Sequence, residues 1–370
     1  MGLNDIKEWS KERNLSSDDL NNLLTYFNYP PLKDFIQNQV YELGLISVLN
    51  FVYNNEELLS KFGKTITIET IRENFILFAQ FIEPHLTFYP VHIFVCDLVQ
   101  KAWKEKDGRQ LLSIAPGAGK STITSCLFPS FILGNNPKEK IMVISYGGDL
   151  SRYFGKNVRR YVDSPEFKAL FPTTEIEGQG KSENFITTVG GSFQPLSKGG
   201  SITGFRCSTL LIDDMIKNAK EASSETILED IWDWYTTTAE SRLVKDSSVI
   251  GFSTRWSKKD LIGRLAQTEG FNYTNIPALS EGKRTDPLNR RKGESLGDYY
   301  KTKDQLEKIR TKDTTNFNRV YQGIVEESYS EEDNKPKVST KTFLTLMNKN
   351  GLDRVNRGIS FRHSRQNFHY

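Results

Sequence analysis

Long hydrophobic runs are missing from this sequence of 370 residues, and so is the basic-then-apolar order of a secretory signal at its N-terminus. A membrane-spanning helix needs about twenty consecutive apolar residues, so these absences predict a soluble protein that remains in the cytoplasm where it is made, with no membrane partner. Paired cysteines are missing as well. Cys96, Cys126 and Cys207 are scattered, which excludes a zinc-finger spacing or a disulfide framework and predicts small buried side chains in a reducing compartment.

Strong net charge is also absent. The formal net charge is +3 at pH 7, so the molecule as a whole does not attract nucleic acid by charge. Charge is uneven locally, because residues 283–312 hold ten Lys or Arg against five Asp or Glu, and residues 326–333 hold five acidic residues and no basic one. The basic stretch fits either a solvated helix face, which is the commoner case, or a contact with nucleic acid.

The pattern of the chain changes near residue 86. Residues 1–85 contain short helix-like patterns rich in Leu, Phe and Asn, and we interpret them as a helical N-terminal extension. Residues 86–325 alternate short β-branched apolar runs with longer amphipathic stretches, which predicts an α/β domain with a central, mostly parallel sheet. Residues 173–208 are rich in Gly, Ser and Thr and predict strand pairs and loops inserted beside that sheet. The predicted strands are 110–115, 141–146, 208–213, 248–254 and 273–277, and the predicted helices begin at Lys120, Leu150, Glu221, Lys258 and Asp304.

A glycine-bearing turn follows the first predicted strand and leads into a helix, within the segment LLSIAPGAGKST. This succession places backbone N–H groups and a helix N-terminus where a polyphosphate can bind. Lys120 would reach the β- and γ-phosphates, and the Ser121 hydroxyl would bind Mg²⁺. The strict phosphate-loop pattern has glycine where this chain has Ile114, so an ordinary surface turn is the alternative. The residues of this loop predicted to bind nucleotide are Ala115, Pro116, Gly117, Ala118, Gly119, Lys120, Ser121 and Thr122.

Two carboxylates, Asp213 and Asp214, end the predicted strand STLLID. Ligands collect at the C-terminal ends of parallel strands, so we expect these acids beside the phosphate loop. Asp213 would bind Mg²⁺, and Asp214 would orient and deprotonate the attacking water. The alternative is an acidic turn or a helix cap, since Asp often follows a strand. Together, the loop and the acid pair predict a nucleoside triphosphate hydrolase in which Lys120 and Asp214 are catalytic.

Four segments together resemble the terminase large subunit family of tailed phages. They are YPVH at 89–92, the phosphate loop, LLIDDMIKNAKEA at 210–222 and FSTRWSKKDLIGRL at 252–265. The resemblance covers about residues 86–325. It implies a P-loop NTPase domain of the RecA-like, additional-strand type, with ATP as the substrate and Mg²⁺ as the cofactor.

The resemblance also implies roles for individual residues. Tyr89 and His92 match the segment that contacts the adenine base, although a helix start with a buried aromatic ring accounts for them equally well. Ser253, Thr254 and Arg255 match the family's coupling motif, in which a small hydroxyl residue senses the γ-phosphate. A surface ion-pair network of little energetic weight is the alternative for the arginine and its neighbours.

Phosphoryl transfer is faster when an arginine stabilises the transition state. Arg206, just before the acidic strand, is the first candidate for this catalytic role, ahead of Arg152 and Arg159. Such an arginine acts either in its own subunit or on a neighbouring one. Arg206→Ala is expected to lower turnover far more than nucleotide affinity.

The function implied by the resemblance is ATP hydrolysis that drives DNA packaging. Such a protein would form a ring of identical subunits on the procapsid, with double-stranded DNA, the portal protein and the small terminase subunit as partners. DNA contacts would be mainly with phosphates. The protein would act in the host cytoplasm, transiently on the procapsid, and would be absent from the mature virion.

Two alternatives stay open, and one activity is not expected. A helicase or other DNA-stimulated NTPase would share the same chemistry, and a catalytically silent fragment would only bind the portal or the small subunit. Relatives in the family carry a nuclease domain, which needs several acidic residues on separate strands to hold two metal ions. Residues 326–370 are expected to form an acidic linker and a short tail, with the nuclease domain absent or truncated, so we expect no nuclease activity.

Overall fold

The computed structural model describes residues 35–63, 66–105, 107–178, 183–200, 204–297 and 299–325, with side chains from residue 43 onward. The helix-like pattern predicted at 19–27 and the linker and tail predicted at 326–370 therefore lie outside the described residues. Within the described ranges, every helix is too short or too polar to cross a bilayer. Cys96, Cys126 and Cys207 are free and buried, as the sequence predicts.

A group of helices precedes the first strand. The apolar sequence FILFAQFI explains the most buried of them, because all eight residues of this helix are covered. Asn74 separates it from the preceding helix, which begins with a capping box between Thr67 and Thr70. The helices of this group are α1 (Phe35–Tyr53), α2 (Glu56–Phe62), α3 (Ile68–Glu73), α4 (Phe75–Ile82) and α5 (Pro90–Lys104).

A seven-stranded sheet forms the centre of the described structure. Its strand order is β3-β4-β2-β5-β6-β1-β7, and all neighbouring pairs are parallel except β3 with β4. Strand β6 therefore lies between β1, which leads into the phosphate loop, and β5, which carries the acid pair. The strands are β1 (Arg109–Ile114), β2 (Lys140–Ser145), β3 (Phe185–Ile186), β4 (Ser192–Ser197), β5 (Cys207–Asp213), β6 (Leu243–Ser253) and β7 (Asn272–Ile276).

Helices connect the parallel strands and cover both faces of the sheet, which confirms the predicted α/β class and the extra strand between the loop and the acids. The helix that starts at Lys120 has a π-helical turn at Thr122–Leu127 before it continues as α6. The helices after β1 are α6 (Phe128–Asn135), α7 (Gly148–Val162), α8 (Pro165–Leu170), α9 (Ala219–Ala222), α10 (Glu225–Trp234), α11 (Leu261–Leu265), α12 (Lys303–Lys312) and α13 (Thr314–Gln322).

Alternation along the strands divides the interior into two hydrophobic layers. Leu112 and Leu211 face the layer that includes α4 to α7, whereas Leu111 and Leu210 face the layer formed with α10 and α11. Buried strands with apolar residues on both faces are typical of parallel sheets. The helices that precede residue 86 therefore share one core with the sheet, although the boundary at residue 85 stays a prediction.

Two details of the predicted fold are wrong. The strands expected beside the sheet are part of it, because β4 pairs along its whole length with β2 in parallel register and β3 forms the antiparallel edge. The helix expected from Lys258 begins only at Leu261, because Asp260 adopts the extended N-cap conformation and its carboxylate accepts the Gly263 N–H.

Candidate functional site

The phosphate loop lies between the end of β1 and a helix that begins at Lys120. Gly117 and Gly119 both have a φ of 79°, in the left-handed region that side chains disfavour. A Cβ at Gly119 would also approach His92 Nε2 to 3.2 Å. Ile114, where the strict pattern has glycine, is the last residue of β1 and pairs with β7. The strand therefore occupies the position of the missing glycine, and the turn keeps the two glycines on which its shape depends.

Lys120 joins the loop to the acid pair. Its Nζ forms an ion pair with Asp214 and lies 4.0 Å from Asp213 Oδ1, and Lys120 is only 8% exposed. Burial alone lowers the pKa of Lys120, but the two carboxylates outweigh burial and raise it. Lys120 is therefore a stable positive charge at the place where the loop meets the acids.

Asp213 is fully buried at the end of β5. Its Oδ2 accepts a hydrogen bond of 2.6 Å from the Ser125 hydroxyl. Burial is the main cause that raises the pKa of Asp213, and the neighbouring charge of Asp214 adds to it. Lys120 and the hydroxyls of Ser125 and Ser121 act in the opposite direction without cancelling the rise.

The residues at Asp213 fit a magnesium ion shared with a nucleotide. Asp213 Oδ1 is buried and, among the described residues, has no hydrogen-bond partner. Carboxylate and hydroxyl oxygens are ligands that Mg²⁺ prefers, and phosphate oxygens usually complete its shell. The described ranges contain no group of three or more His, Cys, Asp or Glu side chains that could hold a metal by themselves. Asp213 and Ser121 would thus supply the protein's share of the ligands.

Asp214 has an unusual backbone that brings its side chain into the centre of the site. Its φ is 40°, a left-handed conformation that Asp tolerates better than most residues. The backbone is held on both sides, since Asp214 N–H donates to Phe252 O at 3.0 Å and Tyr146 N–H donates to Asp214 O at 3.2 Å. The carboxylate consequently lies between Lys120, which contacts Oδ2, and Thr254, whose N–H donates to Oδ1 at 2.9 Å.

The segment after β6 is tied to the acid pair and to the edge of the sheet. Thr254 contacts Asp214 as described, and Ser253 Oγ donates to the Thr254 carbonyl at 2.7 Å. Arg255 is buried, with Nε donating to Asp260 Oδ2 at 3.1 Å and Nη1 to the Tyr273 hydroxyl at 3.2 Å. A surface ion-pair network is therefore the wrong description of Arg255 and Asp260. Arg255 instead fixes the geometry of this segment.

His92 supports the phosphate loop from behind. Its Nδ1 accepts the Tyr89 N–H at 3.1 Å, so the ring hydrogen is on Nε2, which donates to Ala118 O at 3.1 Å. Burial lowers the pKa of His92, and the bond to Ala118 only partly opposes this. His92 is thus a neutral residue whose two nitrogens are both occupied within the protein. Tyr89 is partly exposed, and its ring stacks on that of Tyr299.

The candidate arginines lie at different edges of the sheet. Arg206 is exposed and precedes β5, so the length of that strand, about 20 Å, separates it from Asp213. The structure does not bring Arg206 to the acids of its own chain, and a catalytic role for it would require a neighbouring subunit. Arg152 lies in the first turns of α7, directly after β2 ends at the edge that carries the acids, and pairs with Asp149. Arg159 is in the last turn of α7.

The structure adds three residues to the predicted site. Ser125, which donates to Asp213, is four residues after Ser121 and therefore on the same helix face, a spacing visible in the sequence. The Tyr300 hydroxyl donates to Pro116 O at 3.0 Å, and Tyr299 packs against Tyr89. No local pattern indicates these two tyrosines, because the contact with the loop joins residues 184 positions apart in the sequence.

Comparison with known families decides the identity of the domain. The family described as terminase large subunit, T4likevirus-type, N-terminal, matches residues 111–334, more than half of the chain. This chain belongs to the terminase large subunit family. The match includes the phosphate loop, the acid pair, the segment after β6 and the tyrosines at 299 and 300, whereas Tyr89 and His92 lie upstream of it.

Solved structures similar to this terminase chain come from three phages. The large terminase of bacteriophage HK97 is 15% identical with a TM-score of 0.45, over 65% of this chain and 51% of that one. The ATPase domain of the Thermus phage P74-26 large terminase, as a mutant, is 11% identical with a TM-score of 0.45, over 67% and 97%. The large terminase of another thermophilic bacteriophage, in complex with ADP, is 13% identical with a TM-score of 0.34, over 59% and 48%.

The compared regions differ in how much of each protein they cover. This terminase chain spans about half the length of the HK97 protein and of the ADP-bound protein, and almost all of the P74-26 domain. No curated protein sequence matches it.

Proposed function

We propose that this terminase chain hydrolyses ATP with Mg²⁺ as cofactor and that hydrolysis drives double-stranded DNA into a procapsid. The observation that carries this proposal is a continuous set of contacts across three neighbouring strands. Lys120 after β1 contacts Asp214 after β5, and Asp214 accepts hydrogen bonds from Thr254 after β6. A phosphate-binding lysine, a carboxylate and a hydroxyl residue at one sheet edge are the groups that phosphoryl transfer requires.

Each residue has a distinct task in this proposal. Lys120 binds the β- and γ-phosphates, and its departure from Asp214 frees Oδ2 to accept the proton of the attacking water. The Thr254 N–H keeps Oδ1 of the same carboxylate in place. Asp213 and Ser121 hold Mg²⁺, which when bound offsets the charge on the phosphates. Asp is shorter than Glu, so the left-handed backbone of Asp214 is what lets its carboxylate reach the water.

The contact between Asp214 and Thr254 also suggests how hydrolysis is passed on. A change in the charge around Asp214 alters the acceptor for the Thr254 N–H, and the next residue, Arg255, is anchored to Asp260 and Tyr273. We infer that this segment transmits loss of the γ-phosphate toward the edge of the sheet.

The proposal extends to partners and location. The protein would work as a ring of identical subunits on the portal of a procapsid in the host cytoplasm, together with a small terminase subunit. DNA would be held mainly through phosphates, so packaging should weaken as salt concentration rises. The family supports this assignment, and the exposed basic residues of 283–312 would add an electrostatic contribution to DNA contact.

The test is Mg²⁺-dependent ATP hydrolysis by wild type, Lys120→Ala and Asp214→Asn. Loss of the phosphate-binding charge should lower turnover about 10²-fold or more, and loss of the general base should lower it by about 10² to 10⁴. Lys138→Ala is the matched control, because Lys138 is exposed just before β2 at the opposite edge of the sheet. Turnover in either site variant equal to that of the control would refute the assigned chemistry.

Partner dependence separates packaging from the two alternatives. Stimulation by a small terminase subunit, but not by forked or single-stranded DNA, supports a packaging ATPase. The reverse pattern supports a helicase. Absence of hydrolysis with Mg²⁺, DNA and both protein partners present would support a silent binding fragment.

A further inference from the structure

The loop after β7 returns to the phosphate loop from the side opposite the acids. In the order β5-β6-β1-β7, the acid-bearing strand is two positions from β1 on one side, and β7 is next to β1 on the other. Neighbouring strands are about 4.8 Å apart. The chain then comes back over the loop, where the Tyr300 hydroxyl donates to Pro116 O at 3.0 Å.

Tyr299 forms an aromatic group with residues that precede the loop. Its ring centroid is 4.2 Å from that of Tyr89, with an interplanar angle of 22°, and 5.0 Å from that of His92. Both tyrosines are partly exposed, whereas His92 is 7% exposed and its nitrogens are occupied. The Tyr299 hydroxyl oxygen is buried and lacks a hydrogen-bond partner among the described residues. The pair therefore combines accessible ring surface with an unpaired polar atom.

The direction of a bound nucleotide follows from the position of the acids. Asp214 acts on the terminal phosphate, so the triphosphate runs from the loop toward β6 and β5. The sugar and base then extend from the other end of the loop, toward β7. This is the side on which Tyr89 and Tyr299 lie.

We propose that Tyr299 contacts the nucleotide base together with Tyr89 and makes the site selective for purine nucleoside triphosphates. This inference rests on the proposed ATPase function. Purines offer a larger ring surface for stacking than pyrimidines, and stacking on an aromatic side chain does not depend on the base's hydrogen-bonding edge. The unpaired hydroxyl of Tyr299 offers the purine edge one hydrogen-bond partner.

The competing explanation is that Tyr299 only packs the loop in place. A packing residue would support the phosphate loop for any ligand, including one without a base. A base-contacting residue would matter for ATP and not for inorganic tripolyphosphate. Comparing these two ligands therefore separates the explanations.

The experiment measures the affinities of ATP, UTP and inorganic tripolyphosphate by calorimetry for wild type, Tyr299→Ala, Tyr299→Leu and Tyr299→Phe. We expect Tyr299→Ala to weaken ATP binding about 5- to 150-fold, the range for loss of one base–aromatic stack, and to leave tripolyphosphate binding unchanged. Tyr299→Leu keeps an apolar side chain without the ring and should show the same loss if the alanine variant does not fold. Tyr299→Phe keeps the ring and should retain the preference for ATP over UTP.

Controls distinguish failure of this inference from failure of the ATPase proposal. Tyr153→Ala, at a tyrosine half exposed on α7, should change neither affinity. Equal weakening of ATP and tripolyphosphate in the Tyr299 variants, or unchanged ATP affinity, would overturn the base contact while the ATPase proposal stands. A wild-type protein that binds neither ATP nor tripolyphosphate would overturn both.

Discussion

His92 gives the sharpest prediction for stability, because both of its ring nitrogens have defined partners. Nδ1 accepts the Tyr89 N–H and Nε2 donates to Ala118 O, each at 3.1 Å. Protonation would turn Nδ1 into a donor that faces another donor. Burial accordingly lowers the pKa of His92 below its ordinary value of 6.5, so the folded protein keeps the ring neutral where the unfolded chain begins to protonate it.

The sign and size of the pH effect follow from this linkage. A histidine with a lowered folded pKa stabilises the protein fully above pH 6.5, and this stability is lost as the pH falls toward the folded pKa. At pH 5 the loss from this one group is at most about 2 kcal/mol, because each pH unit below the unfolded pKa is worth about 1.4 kcal/mol. For a domain of this size that corresponds to roughly 4 to 8 °C in melting temperature.

The assay is thermal denaturation between pH 8 and pH 5 of wild type, His92→Gln and His92→Asn. At pH 8 each variant should be less stable by about 1 to 3 kcal/mol, since glutamine best replaces the donor to Ala118 and asparagine the acceptor for Tyr89. The gap to wild type should shrink as the pH falls, because only wild type can be protonated at this position. His85→Ala, at an exposed histidine, is the control. A gap that is constant from pH 8 to pH 5 would refute the reasoning.

Three further predictions follow from the site. Ser125→Ala removes a hydrogen bond to a buried carboxylate and should cost about 1.5 to 3 kcal/mol in urea denaturation, whereas Ser130→Ala, which loses a bond to a backbone carbonyl, should cost about 1 kcal/mol; equal losses would contradict the assignment. Arg206→Ala should lower the ATP turnover of dilute protein less than Arg152→Ala does, because only the latter lies at the edge with the acids; the opposite order would show that the edge of the sheet does not decide. Arg255→Ala leaves a carboxylate buried without its cation and should destabilise the fold by about 3 to 5 kcal/mol in the same denaturation assay, so a loss below about 1 kcal/mol would disprove its anchoring role.

The strands and the phosphate loop could be predicted because their signals are local. Strands buried on both faces are continuous apolar runs, and a loop that follows a strand and opens a helix needs its glycines and lysine in consecutive positions. The acid pair is equally local, and the parallel topology then determines which edge of the sheet it shares with the loop. These features are predictable without knowing any long-range contact.

The features that sequence reasoning missed depend on distance in space. Arg206 is adjacent to the acid strand in sequence, but a strand is extended, so its two ends are the most distant points of the element. Residues 192–197 form a sheet strand only because β2 offers them a partner. Tyr300 meets the loop through a return of the chain over 184 positions, which no local pattern encodes.

The packing of α4 has a mechanical consequence. Its phenylalanines at 75 and 78 contact Phe128 and Phe131 of α6, which continues the helix that starts at the phosphate loop. A protein cut at residue 86 would leave these rings in water, and such an apolar patch promotes aggregation. The N-terminal helices are consequently not a detachable module. Any force or docking partner acting on them is connected, through close-packed aromatic rings, to the helix that begins at Lys120.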